Sequence, residues 1–258
     1  MKSADRQRFI IERLQDAEQV GVADLATVIG TSEMTIRRDL DLLAASGVLR
    51  RIHGGAVPAS PSGIEAPFAS RATAATGIKH AIAAATVELI QDGETVLLDS
   101  GTTALEVARL LRNRTVTVMP LSLHAVQELV RAPQVRLLLP GGEPRPGELS
   151  LVGPLALASI RALRFDVAVL SPCAFSLDNG LTAFDLNDAE IKQQTIEVSA
   201  RTIVMADGTK WGKAALAHVC PADRPDVVVT DVTAPEDQRA ELAERGVLLH
   251  VATELETR

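Results

Sequence analysis

A short apolar strand in the sequence ETVLLDSGTTALEVARLL is followed at once by small polar residues. Asp99 ends the strand. The turn that then leads into a helix consists of Ser100, Gly101, Thr102 and Thr103. The first N–H groups of a helix lack intrahelical partners and carry partial positive charge, so this segment predicts an anion site suited to phosphate. Ser and Thr before a helix can also be simple caps, and no Gly-Lys-Ser/Thr of a Walker A motif follows.

Three further groups of polar or glycine residues follow apolar strands. Gly141-Gly142 follows LLLP, Glu190 lies in DNGLTAFDLNDAEIK, and Lys210 lies in ADGTKWG. Ligands of open α/β sheets bind beyond the carboxyl ends of the strands, where these loops would meet. Each group also has a purely structural interpretation, respectively a tight turn, a helix face and a loop lysine. Together with the anion turn, they predict a site for a small phosphorylated ligand that is rich in hydroxyl groups.

Two arginine pairs, Arg37-Arg38 and Arg50-Arg51, stand near the start of a chain whose formal net charge is −7. Residues 1–58 contain eight basic and eight acidic residues, so the remainder of the chain carries the whole negative charge. An acidic body repels nucleic acid, and any contact with such a polymer must therefore come from a local patch in the first segment.

Three short helices and a hairpin are predicted to position these arginines. In ADRQRFIIERLQDAEQ, Ile10, Leu14 and Ala17 fall on one helical face. VADLATVIG is predicted as a second helix that ends at Gly30. VLRRIHGGAVP contains β-branched and apolar residues around Gly-Gly, which predicts a small hairpin or wing.

The third helix, EMTIRRDLDLLAASG, follows Thr31 and Ser32, which are predicted to supply its N-cap. Ile36, Leu40 and Leu43 share one face and are expected to lie in the core. Gly47 is expected to end the helix.

Arg37 and Arg38 lie about 100° and 200° around this helix from Ile36, so they point away from the core. A short helix, a turn and a second helix with an exposed basic face form the geometry that enters a DNA major groove. In that role arginine reads guanine or holds phosphate, and Ser32 and Thr35 donate to phosphate oxygens. The alternative is a solvated helix face without a partner, which is the usual meaning of a charge run.

The rest of the chain alternates helices with short strands rich in Val, Ile and Leu. The predicted strands are ETVLLD, TVTVM, VRLLLP, DVAVLS, TIVMAD, DVVVTD and VLLHVA. Strands without polar alternation are buried on both faces, which predicts a mostly parallel α/β sheet covered by helices. Residues 58–76 are rich in Pro, Ser and Ala and are predicted to be a linker between domains at 1–57 and 77–258.

The amino-acid composition argues against several classes of protein function. The chain has five Phe, one Trp and no Tyr, which argues against a module that stacks single-stranded bases. Cys173 and Cys220 have no metal-ligand spacing and are expected to be free thiols in a reducing compartment. No metal or cofactor is expected. The polar start of the sequence and its short apolar runs predict a cytoplasmic protein without a membrane partner.

The segment from VADLATVIG to HGGA resembles the winged helix-turn-helix of the DeoR family of bacterial sugar-metabolism repressors. The shared features are the Leu-Ala pair, the Ser before the third helix, TIRRDL and R-x-HGGA. The resemblance implies a partner, double-stranded operator DNA, and implies contacts by Ser32, Thr35, Arg37, Arg38, Arg51 and His53. Glu33 and Met34 complete the exposed face and are added to the predicted contact set.

The larger part is similar to the sensor domain of the same family, through LDSGTT, LVGPLA, NGLT…AEIK, the AD-x-x-K-W-G segment and VVVTD. The resemblance implies the fold of ribose-5-phosphate isomerase A, a phosphorylated sugar-like effector, and repression of a carbohydrate-metabolism operon. One departure from the family pattern concerns the effector. Pro120-Leu121 stands where the family commonly has Thr-Asn. Either Ser122 or His124 replaces the missing polar groups, or the effector differs from the usual sugar phosphates. A homodimer or homotetramer is expected because one small winged helix binds DNA weakly.

Two rival functions follow from the same residues. In a sugar-phosphate isomerase fused to a DNA-binding domain, Glu190 would be the base and Lys210 would hold the phosphate or enediolate. However, SPCAFSLDNG offers only Asp178 where such isomerases have an acidic turn, so no catalytic residue is assigned and the chain is predicted not to be an enzyme. In a third reading, the chain is a DNA-binding scaffold whose larger domain binds no ligand.

Overall fold

The described residues of the computed structural model are 3–16, 19–45, 49–58 and 65–253. Three features of the sequence analysis lie outside them: the Ala17 end of the first helix face, the Gly47 helix end, and linker residues 59–64. The chain divides into two compact units, residues 1–74 and 75–258. None of the helices within the described ranges is long and apolar enough to cross a membrane.

The first unit contains the predicted three helices and hairpin. Its elements are α1 (Ser3–Asp16), β1 (Val20–Gly21), α2 (Val22–Ile29), α3 (Glu33–Ala45), β2 (Leu49–Ile52), β3 (Gly55–Pro58) and α4 (Phe68–Thr73). The three strands form an antiparallel sheet in the order β1-β3-β2. This order of helices and strands is that of a winged helix-turn-helix. The short helix α4 lies in the segment that the sequence predicted as a linker.

The apolar faces predicted for this unit form its core. Ile36 and Leu40 are completely buried and Leu43 nearly so, and they pack with the buried residues of α1 and α2. A buried ion pair also joins α1 to α3: Arg6 Nε lies 2.7 Å from Asp39 Oδ2, and Arg6 Nη2 donates to Asp39 Oδ1 at 3.3 Å. Core packing and this pair together fix α3 on the unit and leave its opposite face outward.

The Gly-Gly of the hairpin has a steric explanation. Gly54 adopts φ 77°, a left-handed conformation that suits the two-residue turn between β2 and β3. A Cβ atom on Gly55 would lie 2.1 Å from the carbonyl oxygen of Val20 in β1. Only glycine therefore lets β1 pair closely with β3.

The second unit confirms the predicted α/β architecture. Its elements are α5 (Thr76–Glu88), β4 (Thr95–Leu98), α6 (Thr102–Leu111), β5 (Thr117–Pro120), α7 (Leu123–Leu129), β6 (Arg136–Leu137), β7 (Glu143–Pro144), β8 (Leu151–Val152), α8 (Pro154–Arg161), β9 (Phe165–Leu170), β10 (Ala174–Ser176), β11 (Gly180–Ala183), α9 (Leu186–Glu197), β12 (Ser199–Met205), a 3-10 turn (Gly208–Lys210), β13 (Ala217–Cys220), β14 (Val227–Asp231), α10 (Glu236–Glu244) and β15 (Leu248–Ala252). A seven-stranded sheet has the order β15-β14-β12-β9-β4-β5-β6, and every adjacent pair is parallel.

Helices cover both faces of this sheet. Val96 and Leu98 of β4 point into a cluster with α5, α6 and α7, whereas Leu97 points into a cluster with α8 and α9. This two-sided burial explains why the strands are apolar without alternation. The small antiparallel sheet β10-β11-β13 and the β7–β8 pair complete the unit.

The strand order reverses direction at β4. The chain passes from β4 outward to β5 and β6, and then returns to the other side of β4 to form β9, β12, β14 and β15. In open α/β sheets, ligands bind beyond the carboxyl ends of the strands at such a reversal. The loops that follow β4 and β9 are therefore the topologically favoured ligand site.

Candidate functional site

The turn between α2 and α3 is closed by glycine and capped by serine. Gly30 ends α2 at φ 70°, in the left-handed region. Ser32 Oγ accepts a hydrogen bond from the Thr35 N–H at 3.2 Å, and the two hydroxyls lie 2.9 Å apart. This arrangement confirms the predicted N-cap, and it places both hydroxyls at the start of α3.

The outward face of α3 contains both of its predicted arginines. The Arg37 side chain is 51% exposed and donates from Nη2 to Glu33 Oε2 at 3.2 Å. Arg38 is exposed and makes no hydrogen bond or ion pair with any residue in the described ranges. Met34, in the first turn, is 65% exposed, which is unusual for a large apolar side chain. The face thus combines a paired arginine, an unpaired arginine and an exposed apolar group.

The wing is attached to α3 through Arg51. Arg51 Nε lies 3.0 Å from Asp41 Oδ1, and Arg51 Nη1 donates to the Gly55 carbonyl at 2.9 Å. Arg50, the preceding residue of β2, is exposed, and His53 is exposed at the turn. Much of the Arg51 guanidinium is therefore engaged within the domain, while Arg50, absent from the predicted contact set, is presented to solvent.

In the second unit, Asp99 joins the two loops at the strand-order reversal. Its Oδ1 accepts from the Ser100 N–H at 2.7 Å and from Lys192 Nζ at 2.8 Å. Its Oδ2 accepts from the Ser171 N–H at 2.8 Å and from Lys192 Nζ at 2.7 Å. Three donor groups thus make four hydrogen bonds to a carboxylate that has about four acceptor sites. Asp99 holds the loop after β4 to the loop after β9 and has little capacity left for a ligand.

Lys192 and Asp188 complete a buried cluster of charges beneath these loops. Lys192 Nζ also donates to Asp188 Oδ1 at 3.3 Å, and all three side chains are at most 4% exposed. Burial opposes the charge on Lys192, but Asp188 and Asp99 outweigh it and raise the pKa of Lys192 above its ordinary value. Burial raises the pKa of Asp99, against the opposing effect of Lys192. One ammonium and two carboxylates give the cluster one excess negative charge when all are ionised.

The turn above this cluster offers donors that nothing else occupies. Ser100, Thr102 and Thr103 are each 6% exposed, and no hydrogen bond engages their hydroxyls within the described ranges. Gly101, at φ 105°, precedes α6 and supplies no side-chain cap. The first-turn N–H groups of α6 therefore keep the orphan donors of a helix start beside three unengaged hydroxyls.

Two family models match the chain. The DeoR-like helix-turn-helix domain matches residues 6–62, and the DeoR C terminal sensor domain matches residues 75–232. The chain belongs to the DeoR family. It is thus a DNA-binding transcriptional regulator, as the sequence predicted.

Curated members of the DeoR family match nearly the whole chain. The putative aga operon transcriptional repressor of Escherichia coli O157:H7 is 34% identical over 95% of this chain and 92% of that protein. The transcriptional repressor AccR of Agrobacterium fabrum is 39% identical over 88% of this chain and 89% of that protein. The glycerol-3-phosphate regulon repressor of Escherichia coli K12 is 30% identical over 97% of this chain and 100% of that protein. Among solved structures, ribose 5-phosphate isomerase A from Methanocaldococcus jannaschii aligns with a TM-score of 0.37 and 18% identity over 52% of this chain and 53% of that chain.

Within this DeoR-family sensor domain, Glu190 lies apart from Asp99. Its side chain is 52% exposed, and its Oε1 lies 3.7 Å from Arg161 Nη2 of α8. On the same helix, Asp188 and Lys192 are the charged residues that face the sheet. The structure therefore brings Lys192, rather than the predicted Glu190, to the loop after β4.

The remaining predicted residues lie on separate loops. A Cβ atom on Gly142 would lie 2.5 Å from the Val152 carbonyl oxygen, so Gly141-Gly142 has a packing role beside α8. Lys210 is partly exposed in the 3-10 turn after β12. That turn is held by Asp231, whose Oδ1 accepts from the Gly208 N–H at 2.7 Å. Gly141-Gly142 thus has a structural explanation, whereas Lys210 remains a predicted ligand residue.

The unusual Pro120-Leu121 pair lies at the end of β5, and its leucine is a core residue. Leu121 is 1% exposed and packs in the core with α8, and Pro120 ends β5. Ser122 accepts from the His124 N–H at 3.2 Å and so caps α7. The departure from the family pattern therefore changes core and cap residues at the end of β5.

The buried position of Lys192 could have been predicted from a pattern in the sequence. Ala189, Lys192 and Ile196 follow the spacing of one helix face, and Ala189 and Ile196 are buried. A lysine in an apolar stripe needs a buried partner, and Asp188 stands four residues before it. Ser171, which reaches Asp99 through its backbone N–H, carries no comparable signal.

Proposed function

We propose that this DeoR-family regulator represses a carbohydrate-metabolism operon and that a phosphorylated sugar-like effector controls it. The observation that carries the effector is the turn Ser100–Thr103, where the hydroxyls of three largely buried residues have no hydrogen-bond partner among the described residues and adjoin the orphan N–H groups of α6. A phosphate is the ligand that such a turn fits best, because it supplies several acceptor oxygens and negative charge. The name of the glycerol-3-phosphate regulon repressor, which refers to a small phosphorylated compound, supports an effector that carries phosphate.

The remaining predicted effector residues have different parts in this proposal. Lys210 contributes positive charge from the loop after β12, two strands from β4 in the sheet order. Asp99 acts indirectly, because its four hydrogen bonds hold the loops after β4 and β9 in register. Gly141 and Gly142 shape the nearby turn, and Glu190 lies too far out on α9 to be counted among the direct contacts.

On the DNA side, α3 is the proposed recognition helix. Its proposed contacts, with those of the wing, are Ser32, Glu33, Met34, Thr35, Arg37, Arg38, Arg51 and His53. In the cytoplasm, the protein would bind its operator as a homodimer or homotetramer. Two recognition helices would then lie about 34–36 Å apart, in successive turns of the DNA. Effector binding then lowers operator affinity if it favours a spacing of the helices that DNA does not accept.

Catalysis is not part of the proposal. An isomerase needs a carboxylate base with free lone pairs beside the substrate. The carboxylate of Asp99 accepts four hydrogen bonds from three donor groups, and Glu190 is exposed and paired with Arg161. The curated relatives described above are named as transcriptional repressors.

The proposal is tested by combining thermal-shift and gel-shift measurements on the full chain. Phosphorylated sugars and glycerol phosphate are compared with the same compounds lacking phosphate, and the operator is first selected from the DNA upstream of carbohydrate genes. At least one phosphorylated compound should raise the melting temperature and change operator affinity, whereas its unphosphorylated form should not. No response to any phosphorylated compound would support the ligand-free scaffold instead. Turnover of a pentose or hexose phosphate would overturn the assignment as a non-enzyme.

A further inference from the structure

The two arginines of α3 occupy different positions on its outward face. At about 100° per residue, Met34 lies about 160° and Arg38 about 200° around the helix from the buried Ile36. Both are therefore within about 20° of the line that faces directly away from the core. Arg37 lies about 100° from Ile36, on the flank of the helix.

The ionic contacts of this face distinguish the same two arginines. Arg37 is bound to Glu33, and the outward carboxylate of Asp41 is bound to Arg51 of the wing. Arg38 has no hydrogen bond or ion pair with the described residues, although it is exposed. At the centre of the face there is thus a guanidinium that none of the described carboxylates occupies, with an exposed thioether chain one turn before it.

This pair matches the chemistry of a base edge better than that of a phosphate. Arginine donates two parallel hydrogen bonds to O6 and N7 of guanine, and an apolar side chain packs on the C5 methyl of thymine. Residues four apart on a helix are separated by about 6 Å along its axis, which corresponds to about two base pairs at about 3.4 Å each. A methionine thioether, by contrast, has nothing to offer a phosphate oxygen.

We infer that Arg38 and Met34 read the bases of the operator, as a guanine and a thymine within about two base pairs of each other, whereas Arg37 contacts the phosphate backbone from the flank. Glu33 holds Arg37 to the side and keeps it from competing for the same guanine. The inference rests on the DNA-binding role proposed for α3 and adds which bases the helix selects and which residue selects each one.

The test is selection of bound duplexes from a random double-stranded DNA library by the wild-type full chain and by two variants. The wild type should enrich half-sites that contain the guanine and the thymine. Arg38→Ala should lose about 5- to 150-fold of the preference at the guanine and keep the rest of the motif. Arg37→Ala should bind all sequences more weakly, keep the motif, and lower the slope of log affinity against log salt by about 1 for each half-site.

Met34 has a chemical test of its own. Replacing the selected thymine by deoxyuridine removes only the C5 methyl, so it should weaken binding by the wild type and leave Met34→Ala unaffected. Leu42→Ala is the matched control, because Leu42 is 60% exposed on the same helix but lies eight residues, about 12 Å, further along its axis than Met34. Thermal melts of all variants verify that the domain stays folded.

Each outcome decides the assignment. If Arg37→Ala loses the guanine preference while Arg38→Ala only weakens binding uniformly, the two roles are reversed and the inference is wrong. If deoxyuridine lowers the affinity of wild type and Met34→Ala equally, Met34 does not contact the methyl group of the thymine. A wild-type protein that enriches no sequence would instead overturn the role of α3 in DNA recognition, and not merely this division of it.

Discussion

Lys192 Nζ lies 2.8 and 2.7 Å from the two carboxylate oxygens of Asp99, although the residues are 93 positions apart. Through this pair, α9 is tied to the point where the strand order of the sheet reverses. The same carboxylate holds the N–H groups of Ser100 and Ser171. The geometry of the proposed effector turn therefore depends on a buried ion pair that has no direct contact with solvent.

Removing Lys192 should destabilise the sensor domain strongly. Lys192→Met leaves Asp99 and Asp188 buried without their cation, which we expect to cost about 3–5 kcal/mol of unfolding free energy. In the double variant with Asp99→Asn, part of that loss should be recovered, because one of the two uncompensated charges is gone and only that of Asp188 remains. Urea denaturation of the two single variants and the double variant measures this coupling. Additive losses would show that the pair is not coupled.

The loss in Lys192→Met should also depend on pH. Burial raises the pKa of Asp99, so the folded state binds its proton more tightly than the unfolded state. Stability from such a group is present below its unfolded pKa and is lost as pH rises through the folded value. Without the opposing lysine this dependence grows, and the deficit relative to wild type should be smaller at pH 5 than at pH 8. Glu190→Gln, an exposed position on the same helix, should show no such change and serves as the control.

The hydroxyls of the effector turn can be removed without changing side-chain shape. The double variant Thr102→Val and Thr103→Val should abolish the effect of the active phosphorylated compound on operator affinity, because two donors to the phosphate are lost. Binding to the operator without effector should be unchanged. Gel shifts with and without the compound measure both quantities. An undiminished effector response would place the phosphate elsewhere, and Thr86→Val on α5 is the matched control.

The sequence was sufficient to predict the elements that carry periodic apolar residues. The third helix was predicted from Ile36, Leu40 and Leu43, and the parallel sheet from strands that are apolar on both faces. The short strands of the β7–β8 pair were missed, because segments of two residues are too short to show a period. Long-range polar contacts were missed for another reason: nothing local in the sequence indicates that Lys192 will meet Asp99, which lies 93 positions away.

In the wing, too, the sequence does not determine which of two neighbouring arginines makes a contact within the domain. Arg50 and Arg51 are equivalent in the sequence, but Arg51 turns towards Asp41 while Arg50 faces solvent. Alternation along β2 separates them, and which one faces α3 depends on the register of the hairpin. The sequence predicted a basic wing, and the structure assigns the internal contact to Arg51.

Substitution at each of these two arginines should therefore have a different effect. Arg50→Ala should leave the melting temperature unchanged, but lower DNA affinity with a smaller salt slope if the wing reaches the backbone. Arg51→Ala should lower stability, by about 1 kcal/mol or less because the pair with Asp41 is partly exposed, and should release the wing from α3. Thermal melts and salt-dependent binding separate the two. A pure loss of affinity in Arg51→Ala, without loss of stability, would favour direct DNA contact by that residue.

The last prediction concerns a buried hydroxyl on α9 that has no partner in the described part of the chain, that of Thr195. An unsatisfied buried polar group costs about 1–3 kcal/mol, so Thr195→Val, which keeps the shape, should raise the unfolding free energy by about 1 kcal/mol. Thr86 is the matched control, because it is also helical and fully buried but donates to the Ile82 carbonyl at 2.8 Å. Thr86→Val should lower the unfolding free energy by about 0.5–1.5 kcal/mol. Because both substitutions make the same chemical change in a buried helix, the difference between them isolates the hydrogen bond. Equal losses in the two variants would mean that Thr195 is satisfied in solution.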